Sequence, residues 1–220
     1  MKKNYFQNKY FEKRNLNDPK RLSIFDQESE ILKKYTNFKG KILDVGCGTG
    51  EFLEHLNWKG KRYGMEINNL AKKKAKKKNI KFNYNLLNKK NYFDLIIFRG
   101  TLQHLPYPFY YMEKSYSALK KNGLIVFLST PNANSISYKL FNFLHLLKPV
   151  YYFIPSNVTL KNALTNFGFK VCEENYYSYL ESPYSKPIVD HIKFLLCILR
   201  LKKNNNFPFY KNVFYMIGKK

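Results

Sequence analysis

The stretch that most constrains this chain is Ile42-Leu43-Asp44-Val45, running into Gly46-Cys47-Gly48-Thr49-Gly50 and then Glu51-Phe52-Leu53. The first four residues suit a short buried strand, and Glu51-Phe52-Leu53 opens a helical pattern. Three glycines at alternate positions allow a sharp turn, and they let a ligand approach main chain with no Cβ in the way. The free N–H groups and positive dipole end of the following helix suit a ligand carboxylate. Taken alone, an ordinary glycine-rich strand–helix turn is the competing reading, because a single glycine motif is weak evidence.

The flanking sequence strengthens the ligand reading. Lys61 to Glu66 is a second short strand ending on an acid, and Glu66 lies 22 residues beyond Asp44. At that spacing the acidic end of a neighbouring parallel strand comes beside the glycine turn and can bind ribose hydroxyls. Residues 69–78 read as a lysine-coated helix with one thin apolar seam, and Ile80 to Tyr84 as a third strand that Asn85-Leu86-Leu87 leave. Phe93 to Arg99 is a fourth strand, apolar enough to be buried on both faces. Gly100 to Pro106 follows as a loop, Tyr110 to Leu119 as a helix, Lys121-Asn122-Gly123 as a turn, and Leu124 to Thr130 as a fifth strand. Upstream, Asp26 is expected to cap a helix that ends near Phe38-Lys39-Gly40, and the helix after the glycines should reach about Trp58. Alternating strand and helix signals argue for an α/β fold with a doubly wound parallel sheet, whose ligands sit at the carboxyl ends of the strands.

Composition narrows the class further. At 220 residues the chain is one domain, and its 45% apolar content is ordinary for a globular protein. The net charge of +24 is not ordinary, and a basic surface suggests polyanion partners. Almost all of that charge is lysine, with Arg only at 14, 21, 62, 99 and 200, alongside abundant Asn, Phe, Tyr and Ile. An AT-rich coding sequence gives the same bias without any polyanion partner, and base- or phosphate-reading surfaces favour Arg. Cys47, Cys172 and Cys197 have neither disulfide-framework nor metal-ligand spacing. The N-terminal run lacks an apolar h-region, and no run is apolar enough to span a membrane, so a cytoplasmic protein without a transmembrane segment is expected.

Four separated blocks, ILDVGCGTGEFL (42–53), YGMEI (63–67), YFDLIIFRGTLQHLPYP (92–108) and LKKNGLIVFLSTPN (119–132), resemble the class I S-adenosylmethionine-dependent methyltransferases. Residues 157–169 are similar to the helix and Gly-Phe turn of that group, leading to a sixth strand at Lys170 to Glu173. Val213 to Ile217 matches its antiparallel last strand. The resemblance implies a Rossmann-like seven-stranded sheet of order 3-2-1-4-5-7-6 and S-adenosyl-L-methionine as cofactor. It implies that Gly46, Cys47, Gly48 and Gly50 line the methionine end of the cofactor, with Asp44 ordering the loop and facing the amino group. It further implies that Glu66, followed by Ile67, holds the ribose, that Asn85 and Leu86 border the adenine, and that Arg99, Gly100 and Thr101 flank the methionine and the reacting methyl. The third block departs from the family pattern: only Asn83 or Asn85 stands where many members carry an adenine-contacting Asp.

Methyl transfer from a sulfonium is an in-line displacement, so holding the reactants collinear and dry supplies much of the rate. A hydroxyl acceptor also needs a base within reach. His104, in the loop after the fourth strand, is the candidate base and Gln103 the candidate orienting group; a structural histidine is the alternative. His55, His145 and His191 are assigned no role, and no Asp/Glu/His cluster suggests a metal. Residues 1–25 are expected to form an arm or lid, and residues 133–156 and 174–211 to be substrate-capping insertions. The aromatic run Leu140–Pro155 and the amphipathic run Pro187–Arg200 would roof an acceptor pocket or rest on an anionic membrane surface. The expected activity is O-methylation of a small molecule such as a sugar or lipid-linked glycan precursor. The rivals are a tRNA base methyltransferase, which makes nucleic acid a possible partner, and a protein that binds S-adenosylmethionine without turning it over. A nicotinamide dehydrogenase fits less well, because its third glycine falls one residue later.

Overall fold

A computed structural model of the chain describes residues 8–12, 18–83, 85–135, 138–139, 151–177, 192, 195–196, 199 and 211–220. His145, His191, Cys197, the lysine–asparagine run at 202–206 and most of the two expected capping runs lie outside these residues. Six strands, β1 Lys41–Val45, β2 Lys61–Met65, β3 Phe93–Arg99, β4 Leu119–Pro131, β5 Lys170–Tyr176 and β6 Val213–Lys219, form one sheet of order β2-β1-β3-β4-β6-β5. The first four are parallel, and β6 runs antiparallel between β4 and β5.

Period-two alternation sends neighbouring residues of each strand to opposite faces. Leu43, Ile96, Phe98, Ile125 and Phe127 pack on one side under α5 (Pro108–Ala118) and α6 (Asn157–Asn166). Ile42, Leu95, Ile97, Val126 and Leu128 pack on the other under α2 (Pro19–Lys33), α3 (Glu51–His55) and α4 (Asn69–Lys76). Helices on both faces of a mostly parallel sheet give the doubly wound arrangement expected. A short α1 (Asn8–Glu12) lies against α4, where Lys74 Nζ donates to the Phe11 carbonyl at 3.3 Å.

Several boundaries differ from expectation for local physical reasons. The strand expected at Ile80–Tyr84 shrinks to a parallel bridge between Tyr63 and Lys81, so the order matches with one strand fewer. Left-handed Asn79 and Asn85 bracket that segment, and Lys81 and Asn83 face solvent. The helix assigned to an Asp26 cap begins eight residues earlier: Asp18 accepts from the Lys20 amide at 3.1 Å and Pro19 takes the first turn. Asp26 is instead mid-helix and tied to His55 Nε2 at 2.8 Å. The helix after the glycines stops at His55 rather than Trp58, because Asn57 turns left-handed and Trp58 Nε1 donates to the Gly40 carbonyl at 3.1 Å. Lys121-Asn122-Gly123 is absorbed into β4, where the Asn122 amide and Gly123 carbonyl pair with Lys220.

Candidate functional site

The glycine turn lies at the carboxyl end of β1, the strand paired with both β2 and β3. Gly46, at φ +78°, donates its amide to the Met65 carbonyl at 2.7 Å, which draws the loop towards β2. A Cβ at Gly46 would run into the Thr101 side chain, so this glycine is what lets the loops after β1 and β3 meet. The Gly48 amide donates to Glu66 Oε2 at 3.0 Å, and the amides of Ile67 and Asn68 donate to Glu66 Oε1 at 2.8 Å each. Glu66 therefore organises the turn after β2 and reaches the glycine loop, as its spacing suggested. A carboxylate offers about four acceptor positions, so these three amides leave room for a further donor.

Arg99, Asp44, Gly46, Cys47 and Gly48 line one open cleft. The opposite wall was not foreseen. It comes from Arg21 and Phe25 of α2 and from Thr49, Glu51 and Phe52 at the start of α3. Arg21 pairs with Glu51 at 2.5 Å, and the Thr49 hydroxyl donates to the same carboxylate. Beneath them Glu28, fully buried on α2, accepts from Arg99 Nε at 2.5 Å, from the Ser129 hydroxyl at 2.6 Å and from the Tyr177 hydroxyl at 3.0 Å. The Arg99 guanidinium also lies 4.4 Å from the Phe25 ring centre and 5.1 Å from that of Phe52. Arg99 is thus held in place by α2.

Asp44 is buried, and its Oδ1 has no hydrogen-bond partner among the described residues. Burial pushes its carboxyl up to about 7; Arg99 opposes the shift, while Glu66 and Glu28 add to it. A buried carboxylate oxygen without a donor, in a cleft floored by glycine main chain, fits a ligand that carries an ammonium group beside a carboxylate. The methionine end of S-adenosylmethionine has both groups.

The remaining expected residues are placed as follows. Gly100 is left-handed at φ +58°, and a Cβ there would meet only the Ser129 carbonyl, at 3.7 Å. Thr101 donates its hydroxyl to the Arg99 carbonyl at 3.1 Å. Ile67 is 76% exposed beside Glu66. Asn85 is exposed, while Leu86 is buried in the core facing α5, and neither lines the cleft. Gln103 is buried: its Nε2 donates to the Gly100 carbonyl at 3.1 Å, its backbone carbonyl accepts from the Tyr152 amide at 2.9 Å, and its Oε1 has no partner among the described residues. Gln103 thus braces the loop that presents half-buried His104.

The fold is Rossmann-like, with the cleft at the carboxyl edge of β1 and β3. A family model described as a methyltransferase domain matches residues 12–174, and the chain belongs to that family. Solved structures agree in fold. The chain is similar to a SAM-dependent methyltransferase from Archaeoglobus fulgidus at 22% identity, covering 89% of this chain and 94% of that one, with TM-score 0.62. It is similar to an S-adenosylmethionine-dependent methyltransferase from Mesorhizobium loti at 15% identity, covering 89% and 100%, with TM-score 0.62. Phosphoethanolamine N-methyltransferase 2 from Haemonchus contortus, solved with S-adenosyl-L-methionine, matches at 15% identity over 89% of this chain and 52% of that one, with TM-score 0.58. No curated protein matches in sequence. The protein is an S-adenosylmethionine-dependent methyltransferase. Among the described residues, no helix is long and apolar enough to cross a membrane.

Proposed function

We propose that the enzyme methylates a hydroxyl oxygen of a small polar molecule, of the sugar or lipid-linked glycan precursor class, with His104 as the base. The observation that carries this reading is the placement of an aromatic segment against the His104 loop. The Tyr152 amide donates to the Gln103 carbonyl, and Phe153 stacks edge-on with Phe109 at 5.4 Å between ring centres. Tyr152 and Tyr107 are left 59% and 72% exposed beside that loop. Rings with polar tips present a flat apolar face and a hydrogen-bonding hydroxyl, a combination suited to sugar-like acceptors.

The bound cofactor supplies an electrophilic methyl group on a sulfonium sulfur. Asp44 and the Gly46–Gly48 main chain would hold its amino-acid end, and Glu66 its ribose. Arg99, Gly100 and Thr101 would flank the methionine, with exposed Asn85 on the adenine side and Leu86 buried behind it. His104 would accept the acceptor's hydroxyl proton as the oxygen attacks, and Gln103 would keep that loop in register. The test is a labelled-methyl assay on fractionated polar glycan, lipid and RNA extracts, repeated with His104→Asn. Label should enter a glycan or lipid fraction. The variant should lose roughly 10²–10⁴-fold in kcat while binding the cofactor normally. Label confined to RNA, or a variant as fast as the parent, refutes the reading.

A further inference from the structure

The charge of this chain is segregated along the sheet, and the amino edge, opposite the cleft, collects it. Lys41 and Lys61 open β1 and β2 as register partners. Lys89 and Lys90 lead into β3, and Lys120 and Lys121 sit near the start of β4. Lys170 begins β5 directly across from Lys219 at the end of β6. Each of the six strands thus brings lysine to this edge. By contrast, the described carboxyl-edge turns 46–50, 66–68, 100–107 and 132–135 contain no lysine, although Lys211 stands there just before β6 and Lys139 follows the last of them. A coding bias sets how many lysines there are but does not sort them by edge.

Acids do not neutralise the cluster. Among the described residues of these strand ends the acid present is Asp94, which accepts from the Lys41 amide and from Lys120 Nζ at 2.7 Å each. Tyr92 lies within the cluster, with Lys41 Nζ 3.8 Å and Lys89 Nζ 4.4 Å from its ring centre. Its phenol is lowered by the bond to Tyr63 and then, against the effect of burial, by the ammonium groups of Lys41, Lys89 and Lys61. Six strands at about 4.8 Å spacing make an edge about 24 Å wide, long enough to meet several backbone phosphates at once.

We propose that the amino edge of the sheet binds the phosphate backbone of a nucleic acid, anchoring the enzyme by a face separate from its catalytic cleft. Lysine point charges without a matching set of arginines suit backbone attraction rather than base reading. An anionic bilayer fits less well. The strongly exposed apolar and aromatic side chains, such as Ile67, Tyr107, Phe109, Tyr110 and Tyr152, stand on α5 or in carboxyl-edge turns and loops rather than here. Strands of five to seven residues at about 3.3 Å each put roughly 15–20 Å between the two edges, so the phosphates held here lie away from the cleft.

The test is fluorescence anisotropy with labelled 20-mer RNA and DNA, single- and double-stranded, between 50 and 300 mM salt. Two charge-matched variants of the full chain are compared with the parent. One carries Lys59, Lys61, Lys90 and Lys121→Gln, all exposed at the amino edge; the other carries Lys20, Lys73, Lys161 and Lys211→Gln, exposed on α2, α4 and α6 and just before β6. Binding to at least one polymer should be salt-dependent. The amino-edge variant should lose at least tenfold, with the log–log salt slope on single strands shallower by about 3, at roughly 0.7 per phosphate contact. The second variant should change affinity by less than threefold, and both variants should keep the parent's cofactor affinity. Equal losses in the two variants would mean that net charge alone drives binding, and would overturn the proposal. So would absence of binding at 150 mM salt. Capture by anionic vesicles rather than nucleic acid, abolished by the amino-edge variant, would overturn it in favour of a membrane.

Discussion

Replacing Glu28 by Gln should damage both stability and the choice between the two forms of the cofactor. Glu28 is fully buried and ion-paired with Arg99, whose side chain is 15% exposed. Both carboxylate oxygens are engaged, one by Arg99 Nε and the other by Ser129 and Tyr177. Glutamine preserves the shape, but its amide nitrogen must face a donor on one side, and it removes the carboxylate charge paired with Arg99. Removing one partner of a buried pair costs about 3–5 kcal/mol. At about 2–4 °C per kcal/mol for a chain of this size, unfolding should occur about 6–20 °C lower. Arg99 also lines the cleft proposed for the cofactor, so its cation, no longer neutralised by Glu28, repels the sulfonium of S-adenosylmethionine but not the neutral thioether of its demethylated product. A like charge is worth about 2 kcal/mol at twice the 4 Å contact distance in an effective dielectric of about 20. The variant should therefore lose at least tenfold more affinity for the methyl donor than for the product. Differential scanning calorimetry reads the first effect, and titration calorimetry with each ligand reads the second. Glu28→Leu combined with Arg99→Met removes both charges and should recover most of the unfolding temperature. An E28Q protein that melts within about 2 °C of the parent and binds both ligands in the parental ratio would sink the reasoning.

Other perturbations follow from the same geometry. With the Asp44 carboxyl at about 7, only about one molecule in ten is ionised at pH 6. Affinity for the cofactor ammonium should fall about tenfold between pH 8 and pH 6, and Asp44→Asn should flatten that profile in titration calorimetry. The stability effect has the opposite sign. The folded pKa lies above the unfolded value near 3.9, so Asp44 destabilises the ligand-free protein increasingly as pH rises from about 4 to 7. Thermal melts should show Asp44→Asn gaining on the parent over that window, with no further gain above it. Gly46→Ala forces a Cβ into Thr101 at a φ of +78°, and equilibrium dialysis should show at least a tenfold loss of cofactor binding. Gly64→Ala places a Cβ 2.6 Å from Cys47 Sγ and 3.0 Å from Phe82 Cε1. That overpacking costs about 1–3 kcal/mol, and adding Cys47→Ala should restore part of the lost unfolding temperature.

The parts of the fold that sequence made legible are those set by short-range pattern. Ile42 and Leu43 face opposite sides because strand side chains alternate, and the Gly46–Gly50 spacing demands a turn whatever surrounds it. Glu66 was found by its distance from Asp44, and its bond to the Gly48 amide is the geometry that distance allows. Ile80–Tyr84 shows where local pattern misleads: Phe82 gave the segment a strand-like core residue, but Lys81 and Asn83 point to solvent at the sheet's outer edge and one bridge survives. The α2 wall of the site was hidden for a different reason. Asp26 before an acidic run resembles a helix cap as closely as Asp18 before Pro19 does, and a helix starting there leaves Arg21 and Phe25 in the expected arm or lid. The clue was the helical spacing of Phe25, Glu28, Ser29 and Leu32, which puts a carboxylate on the apolar face. A buried carboxylate must find partners, and those of Glu28 lie 71, 101 and 149 residues further along the chain. Such an acid on an apolar stripe therefore signals that a remote cation will arrive, even though only the folded sheet identifies that cation as Arg99.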